Sequence, residues 1–210
     1  MNESQMGLEA LNEALWQAVS TRPNKVTGTY VDIADPIPTK KIIGESRFNN
    51  RFPVLDYLET AIDLARASDL TDIVDQFAKV AWDLPWSQNA SYTEENCEPA
   101  FLAGYAYAGI SGPEGPIVCA APRGGLFLLG PSVTYPAHNH APKEVYLVLT
   151  PGAQWQLDEG DWFKVSPGDL IFHDTLQMHA MKTGSQPMLA FAGWIEPGDR
   201  RSIGFNKSAT

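Results

Sequence analysis

Four residues in the second half of the chain have the types and spacing of a metal site: His138, His140, Glu144 and, further on, His179. Around the first three the sequence reads Tyr135-Pro136-Ala137-His138-Asn139-His140-Ala141-Pro142-Lys143-Glu144-Val145-Tyr146. Side chains two apart on an extended strand point the same way, so His138 and His140 share a face, and so do Glu144 and Tyr146. Imidazole nitrogen and carboxylate oxygen together suit one borderline divalent ion: Fe, Zn or Mn, with Co and Ni also admissible. A mixed N and O set commonly leaves coordination positions open to substrate, which is the chemistry of a reactive centre rather than of a structural staple. His173, at the end of an apolar run, reads instead as a hydrogen-bonded wall residue.

Such ligands need a rigid frame, and the sequence around them is strand-like. From Phe101 onward, short apolar runs are broken by Gly and Pro: 105–110, 117–121, 125–129, 144–149, 153–157, 162–165, 170–173 and 188–194. Closely spaced short strands of this kind form an antiparallel sandwich or barrel. The first half is helical. Leu8, Leu11, Leu15 and Val19 recur at three- and four-residue steps on a helix that stops before Pro23. A Pro-rich connector at Asp35 to Pro38 follows. Pro53 to Ala67 predicts a second helix with Leu55, Leu58, Ile62 and Ala65 inward. Asp69 is placed to cap a third, carrying Ile73, Val74, Phe77, Val80 and Ala81. These helices carry no chemistry of their own; their expected role is packing on the sheet or on a second subunit. The expected division is therefore 1–100 as an N-terminal helical region packing on the barrel and 101–210 as the metal-binding barrel.

With 210 residues the chain can bury one good core with an appended layer, so one compact unit is expected. The net charge of -10 disfavours nucleic acid and anionic membrane surfaces as partners. Cys97 and Cys119 fit neither a disulfide framework nor a zinc-ribbon spacing and read as free thiols in a reduced compartment. No stretch approaches the ~18 apolar residues of a membrane span, and no basic-then-apolar leader is visible. The expectation is a cytoplasmic protein.

Two blocks resemble the two motifs of the cupin superfamily. The first is His138-x-His140-x-x-x-Glu144 followed by Gly152; the second is Pro167-Gly168-Asp169 with His179 twelve residues after the proline. The resemblance covers roughly residues 101 to 200. It implies a mainly β fold, a small antiparallel jelly-roll barrel with an N-terminal α-helical layer, in which His138, His140, Glu144 and His179 project inward as ligands. Gly130 stands further ahead of His138 than the usual pattern has it, which implies a longer turn. Adding the flanking residues, Tyr135-x-x-His138-x-His140-x-x-x-Glu144-x-Tyr146 and a distant His179-Ala180-Met181, the chain resembles the cupin-type dimethylsulfoniopropionate (DMSP) lyases, DddQ-like or DddL-like. That resemblance implies a metal-dependent carbon–sulfur lyase that releases dimethyl sulfide and acrylate from a small zwitterion.

The residues make sense of such a β-elimination. A proton beside a carboxylate is weakly acidic, and a metal on that carboxylate would stabilise the developing charge. Tyr146, on the strand face of Glu144, is the first candidate for the base, since a nearby cation favours phenolate. It could also ligate the metal at rest. Tyr135 is the second candidate, as alternative base or as a donor orienting the substrate. A sulfonium is a soft cation that aromatic faces bind; Trp194 is the preferred substrate-binding aromatic, over Trp162, Trp155, Tyr105 and Tyr107. Lys143, adjacent to Glu144 on a strand, should face outward. An Fe-dependent cupin dioxygenase, or a lyase or isomerase of another small carboxylate, would use the same ligands. A non-enzymatic sensor has less support, because no basic helix-turn-helix signal is present. Apolar helices and exposed barrel edges are compatible with a homodimer.

Overall fold

The computed structural model describes residues 3–33, 51–113, 115–195 and 204–205. The Asp35 to Pro38 connector lies outside the described residues. Helix α1 spans Glu3–Ser20, and Leu8, Leu11, Leu15, Trp16 and Val19 are buried along one stripe. A single 3-10 turn, Pro53–Tyr57, leads into α2, Leu58–Ala65. Pro53 fits the first turn because its missing N–H would have no partner there. The Leu55 N–H reaches back three residues to the Phe52 carbonyl, so the turn is tighter than the continuous helix the periodicity predicts. Helix α3, Thr71–Ala78, starts without the Asp69 cap: the flanking residue is Leu70, and the Asp69 carboxylate instead takes the Arg22 guanidinium at 2.8 Å. An ion pair to the segment just after α1 has won over a local cap.

The strands form two sheets. The larger contains β1 (Trp86–Ser87), β2 (Tyr105–Gly112), β4 (Arg123–Leu129), β11 (Met188–Trp194), β6 (Glu144–Val148) and β9 (Leu170–His173), in the order β1-β2-β4-β11-β6-β9, with β3 (Ile117–Val118) pairing alongside β2. The smaller runs β12 (Gly204–Phe205), β5 (Thr134–Asn139), β10 (His179–Lys182), β7 (Gln154–Leu157), β8 (Phe163–Lys164). A short helix α4, Pro99–Ala103, precedes β2. The first hundred residues thus contribute an edge strand, β1, as well as helices. Strands β5 and β10 were absent from the apolar runs because histidine, proline and lysine break their alternation.

Alternation along the large sheet sorts its side chains into two cores. Val145, Leu147, Leu126, Leu128 and Phe191 face outward, into the cluster shared with α1, α2 and α3. Tyr146, Val148, Phe127, Ala190 and Ala192 face inward, packed with Tyr135, Trp155 and Met181 of the small sheet. The helices can lie close because Gly193 and Gly124 pair across β11 and β4. A Cβ at Gly193 would come 2.5 Å from the Trp16 ring. The helical layer therefore backs the sheet that carries Glu144 and Tyr146, while the inward face is left for polar groups. No helix among the described residues is long and apolar enough to cross a membrane.

Candidate metal centre

His138 is the inward residue near the end of β5, and His140 lies just beyond that strand on the same side. His179 opens β10 and pairs in register with His138, bringing the two rings to 4.1 Å between centroids. Glu144 opens β6 on the opposite sheet, between Trp194 of β11 and His173 of β9. All four predicted ligands are therefore brought together at one end of the barrel, buried to within a few per cent of full burial. Ligand atoms of His138, His140 and His179 lie within 4.8 Å of one another, and so do those of Glu144, His173 and His179.

Hydrogen bonds decide which nitrogen each imidazole presents. Nδ1 of His138 lies 2.9 Å from the Pro136 carbonyl, Nδ1 of His140 lies 2.8 Å from that of Pro142, and Nδ1 of His179 lies 2.9 Å from that of Gln177. A carbonyl only accepts, so each Nδ1 carries the proton and each Nε2 is left to face the centre. Three Nε2 atoms thus converge with a carboxylate. Backbone carbonyls two residues away supply the orientation that metal-ligating histidines generally obtain from outer partners.

Glu144 is the electrostatic hub. Its Oε1 accepts from Trp194 Nε1 at 2.9 Å; its Oε2 lies 3.0 Å from His140 Nε2, 3.2 Å from His173 Nδ1 and 3.4 Å from His179 Nε2. Burial alone would raise the carboxyl, but the imidazoles of His140, His173 and His179 outweigh it and hold Glu144 well below the usual carboxylate range. Burial lowers His138 well below the ordinary imidazole value, with His179 adding to it. Burial and the neighbouring His173 lower His179 to about 4. Burial also opposes protonation of His140, yet the Glu144 carboxylate prevails and raises it. At neutral pH this leaves His138 and His179 neutral and Glu144 ionised, with the Glu144 carboxylate favouring the protonated form of His140.

That arrangement fits a cation. The Nε2 of His179 is fully buried and makes no hydrogen bond, since its approach to Glu144 is not aligned for one. An unpartnered buried acceptor is costly, and a divalent ion would satisfy it together with the other three donors. His173 is close enough to count as a ligand by distance but not by bonding. Its Nε2 accepts from Trp155 Nε1 at 3.0 Å, so its Nδ1–H must donate to Glu144. Both nitrogens are engaged, and His173 orients the carboxylate, in keeping with the wall role expected of it.

The two tyrosines occupy different surroundings. Tyr146 faces inward two residues after Glu144, with Trp155 at 5.0 Å and His173 at 5.5 Å between ring centroids. Tyr135 stacks on His138 at 4.2 Å, and its hydroxyl meets that of Tyr92 at 2.5 Å. Burial raises the Tyr135 phenol well above its ordinary value, with Tyr92 adding to the shift. Both tyrosines, with Glu144, His138, His140 and Trp194, line a cavity of about 70 Å³. This is room for a few waters or a small acid and far too little for a nucleotide. Trp194 also carries the Arg123 guanidinium over its ring, 5.2 Å from the centroid.

Arg123, Tyr92 and Phe127 were not found from sequence. Arg123 has the same strand parity as Phe127, which places a charge on an inward face, but that parity means nothing until the strand's neighbours are known. Tyr92 lies in an irregular stretch without periodicity. Of the other aromatic candidates, Tyr105 and Tyr107 line the cavity, Trp155 holds His173, and Trp162 lies beneath the Lys182 ammonium, 4.1 Å from its ring centroid. Both cysteines are free, Cys119 buried and Cys97 partly so.

A family profile for dimethylsulfoniopropionate lyase matches residues 38–190. The chain is 33% identical over 149 residues to a protein of Cereibacter sphaeroides named putative dimethylsulfoniopropionate lyase DddL; the match spans 70% of this chain and 61% of that protein. It is 24% identical over 181 residues, 86% of each chain, to the dimethylsulfoniopropionate lyase DddQ of Ruegeria pomeroyi. The crystal structure of DMSP lyase DddQ from Ruegeria pomeroyi DSS-3 superposes with a TM-score of 0.73 at 21% identity, covering 96% of both chains. A structure from a study of DMSP lyases RdDddP and RnDddQII superposes at 0.69 and 22%, covering 98% of this chain and 100% of the other. At these identities the superpositions establish a shared fold.

Proposed function

The chain belongs to the dimethylsulfoniopropionate lyase family, and from that membership we propose that it cleaves DMSP by metal-dependent β-elimination to dimethyl sulfide and acrylate. The observation that carries this reading is the union, in one small cavity, of a cation-demanding His138, His140, Glu144 set with the inward phenol of Tyr146. His179 completes the ligand set through its unpartnered Nε2. The donors suit Fe, Zn or Mn, with Co and Ni admissible. When bound, the ion supplies Lewis-acid stabilisation of charge developing at the substrate carboxylate and favours the ionised form of a nearby phenol.

Tyr146 removes a proton from the carbon beside the carboxylate. The electron pair of that C–H bond becomes the second bond of the alkene, and the electron pair of the adjacent C–S bond leaves with neutral dimethyl sulfide. The proton resides on the Tyr146 oxygen until solvent takes it. Tyr135, kept neutral by burial and tied to Tyr92, acts as a donor that positions the substrate rather than as the base. Trp194 serves twice, holding Glu144 through its N–H and forming one wall of the substrate cavity. His173 and Trp155 keep the carboxylate turned toward the histidines.

The test is product stoichiometry with the metal-loaded protein. Equal amounts of dimethyl sulfide and acrylate, with no oxygen consumed, support the lyase. Oxygen uptake coupled to turnover would replace it with a dioxygenase.

A further inference from the structure

We infer that Arg123 is the residue that binds the substrate's carboxylate and so restricts the site to acids. The identity of that substrate rests on the lyase reading above. The register of the large sheet makes the argument. Arg123 pairs with Trp194, Trp194 with Glu144, and Glu144 with His173, so four residues on four neighbouring strands form one transverse row. Directly opposed residues in a sheet share a face, so Arg123 looks into the barrel from the same side as Glu144. One indole lies between it and the metal set: the Arg123 guanidinium is 5.2 Å from the Trp194 centroid, and the His140 ring is 4.8 Å from it.

The next row along the strands has small residues on β4 and β11. Gly125 pairs with Ala192, and Ala192 with Tyr146. Gly125 has no space for a side chain, since a Cβ there would lie 2.1 Å from the Ala108 carbonyl oxygen and 2.8 Å from the Tyr107 ring. Ala192 lines the cavity between Arg123 and Tyr146, which stand diagonally across β4, β11 and β6, while the Tyr107 ring lies over Gly125. Among the described residues lining this cavity, Arg123 is the sole lysine or arginine. The remaining wall is largely aromatic.

A guanidinium in such a setting presents a planar fork that matches a carboxylate. The same charge repels a sulfonium. A zwitterion entering this cavity therefore has one favourable orientation, with its carboxylate toward Arg123 and the metal set and its sulfonium toward the aromatic wall of Tyr105, Phe127 and Tyr135. That orientation turns the carbon beside the carboxylate toward Tyr146, across Ala192. The expected cation–π role of Trp194 is then exercised within the chain, on Arg123. Arg123 is a specificity residue, with no proton to transfer.

The experiment uses propionate and propionamide, which differ in charge and cannot eliminate. Their affinities for the full-length wild type, Arg123→Lys and Arg123→Gln are measured by calorimetry, on metal-loaded and metal-stripped protein, beside metal content, thermal stability and DMSP kinetics. Wild type is expected to prefer propionate in both metal states. Arg123→Gln should lose roughly 10- to 100-fold in propionate affinity, the scale of a lost hydrogen bond to a charged group. Propionamide affinity and metal content should not change, and Arg123→Lys should recover part of the loss. For DMSP, KM should rise by a similar factor with kcat largely kept, as for binding lost equally from ground and transition states. Unchanged propionate affinity in Arg123→Gln overturns the inference, as does absence of any wild-type preference for propionate. Equal loss for both ligands, or loss of metal, would make Arg123 merely a support for Trp194. If wild type releases no dimethyl sulfide but propionate binding still depends on Arg123, the lyase reading fails and the carboxylate site stands. If wild type cleaves DMSP with an Arg123-independent KM, the reverse holds.

Discussion

Trp194→Phe should weaken metal binding without touching a ligand. The substitution removes one N–H, the donor that reaches Glu144 Oε1 at 2.9 Å from a nearly buried indole. In water the oxygen would find another partner. Inside the barrel its other oxygen is already committed to the imidazoles of His140 and His173, and a lost hydrogen bond to a buried charge costs about 1.5–3 kcal/mol. If that cost falls on the ligand geometry, metal affinity drops roughly 10- to 100-fold, the range seen when outer partners of a metal ligand are removed. Competition against a chromophoric chelator measures it directly. Trp155→Phe is the control: it too removes a buried indole, but its N–H serves His173 and acts on Glu144 only at one remove. A smaller affinity loss is expected there, alongside a comparable loss of thermal stability. Equal metal affinity in Trp194→Phe and wild type would refute the assignment of Glu144 as a ligand oriented by Trp194.

Acid should destabilise the metal-stripped protein between about pH 6.5 and 4. His179 is lowered to about 4 in the fold and His138 is lowered too, so the unfolded chain binds more protons in that window and stability falls as pH falls through it. Thermal denaturation against pH checks this, and His179→Gln should flatten the slope; a flat wild-type profile would count against neutral buried imidazoles. His140 has the opposite sign: raised by Glu144, it adds stability below about pH 6.5 that is lost as pH rises through its folded value, so proton release on metal uptake should grow as pH is lowered through that value, detectable by calorimetry in two buffers. Gly193→Ala should cost about 1–3 kcal/mol in urea unfolding, because its Cβ would meet the Trp16 ring at 2.5 Å; an unchanged midpoint would mean that α1 can move off the sheet. Tyr135→Phe should keep the metal and lower kcat less than Tyr146→Phe does; the reverse order would exchange their roles.

The grouping of His138, His140 and Glu144 was legible because its spacing is local, whereas His179 joined it through the resemblance of the Pro167-Gly168-Asp169 block. His138 and His140 differ by two, Glu144 follows one turn later, and strand periodicity alone puts each pair on a common face. The helical stripe of Leu8, Leu11, Leu15 and Val19 was legible for the same reason, at a period of 3.6. What failed to show has a common cause in long-range partners. Strands β5 and β10 carry the site, and their histidines, proline and lysine replace the apolar alternation by which a strand is recognised. Asp69 has the type and place of a helix cap, yet a guanidinium 47 residues away takes it. Tyr92 meets Tyr135 across 43 residues, and Arg123 acquires meaning only when β11 sets Trp194 beside it. His173 was separable from the ligands only once Trp155 was seen to donate to its second nitrogen.

The central claim is that Tyr146 is the base of a metal-dependent elimination. The most direct measurement is headspace dimethyl sulfide released from DMSP by metal-assayed wild type and Tyr146→Phe. Release by wild type, with loss of release by a mutant of equal metal content, is the predicted result. Release by Tyr146→Phe at the wild-type rate would contradict it and pass the role to Tyr135, while silence from fully loaded wild type would remove DMSP as the substrate.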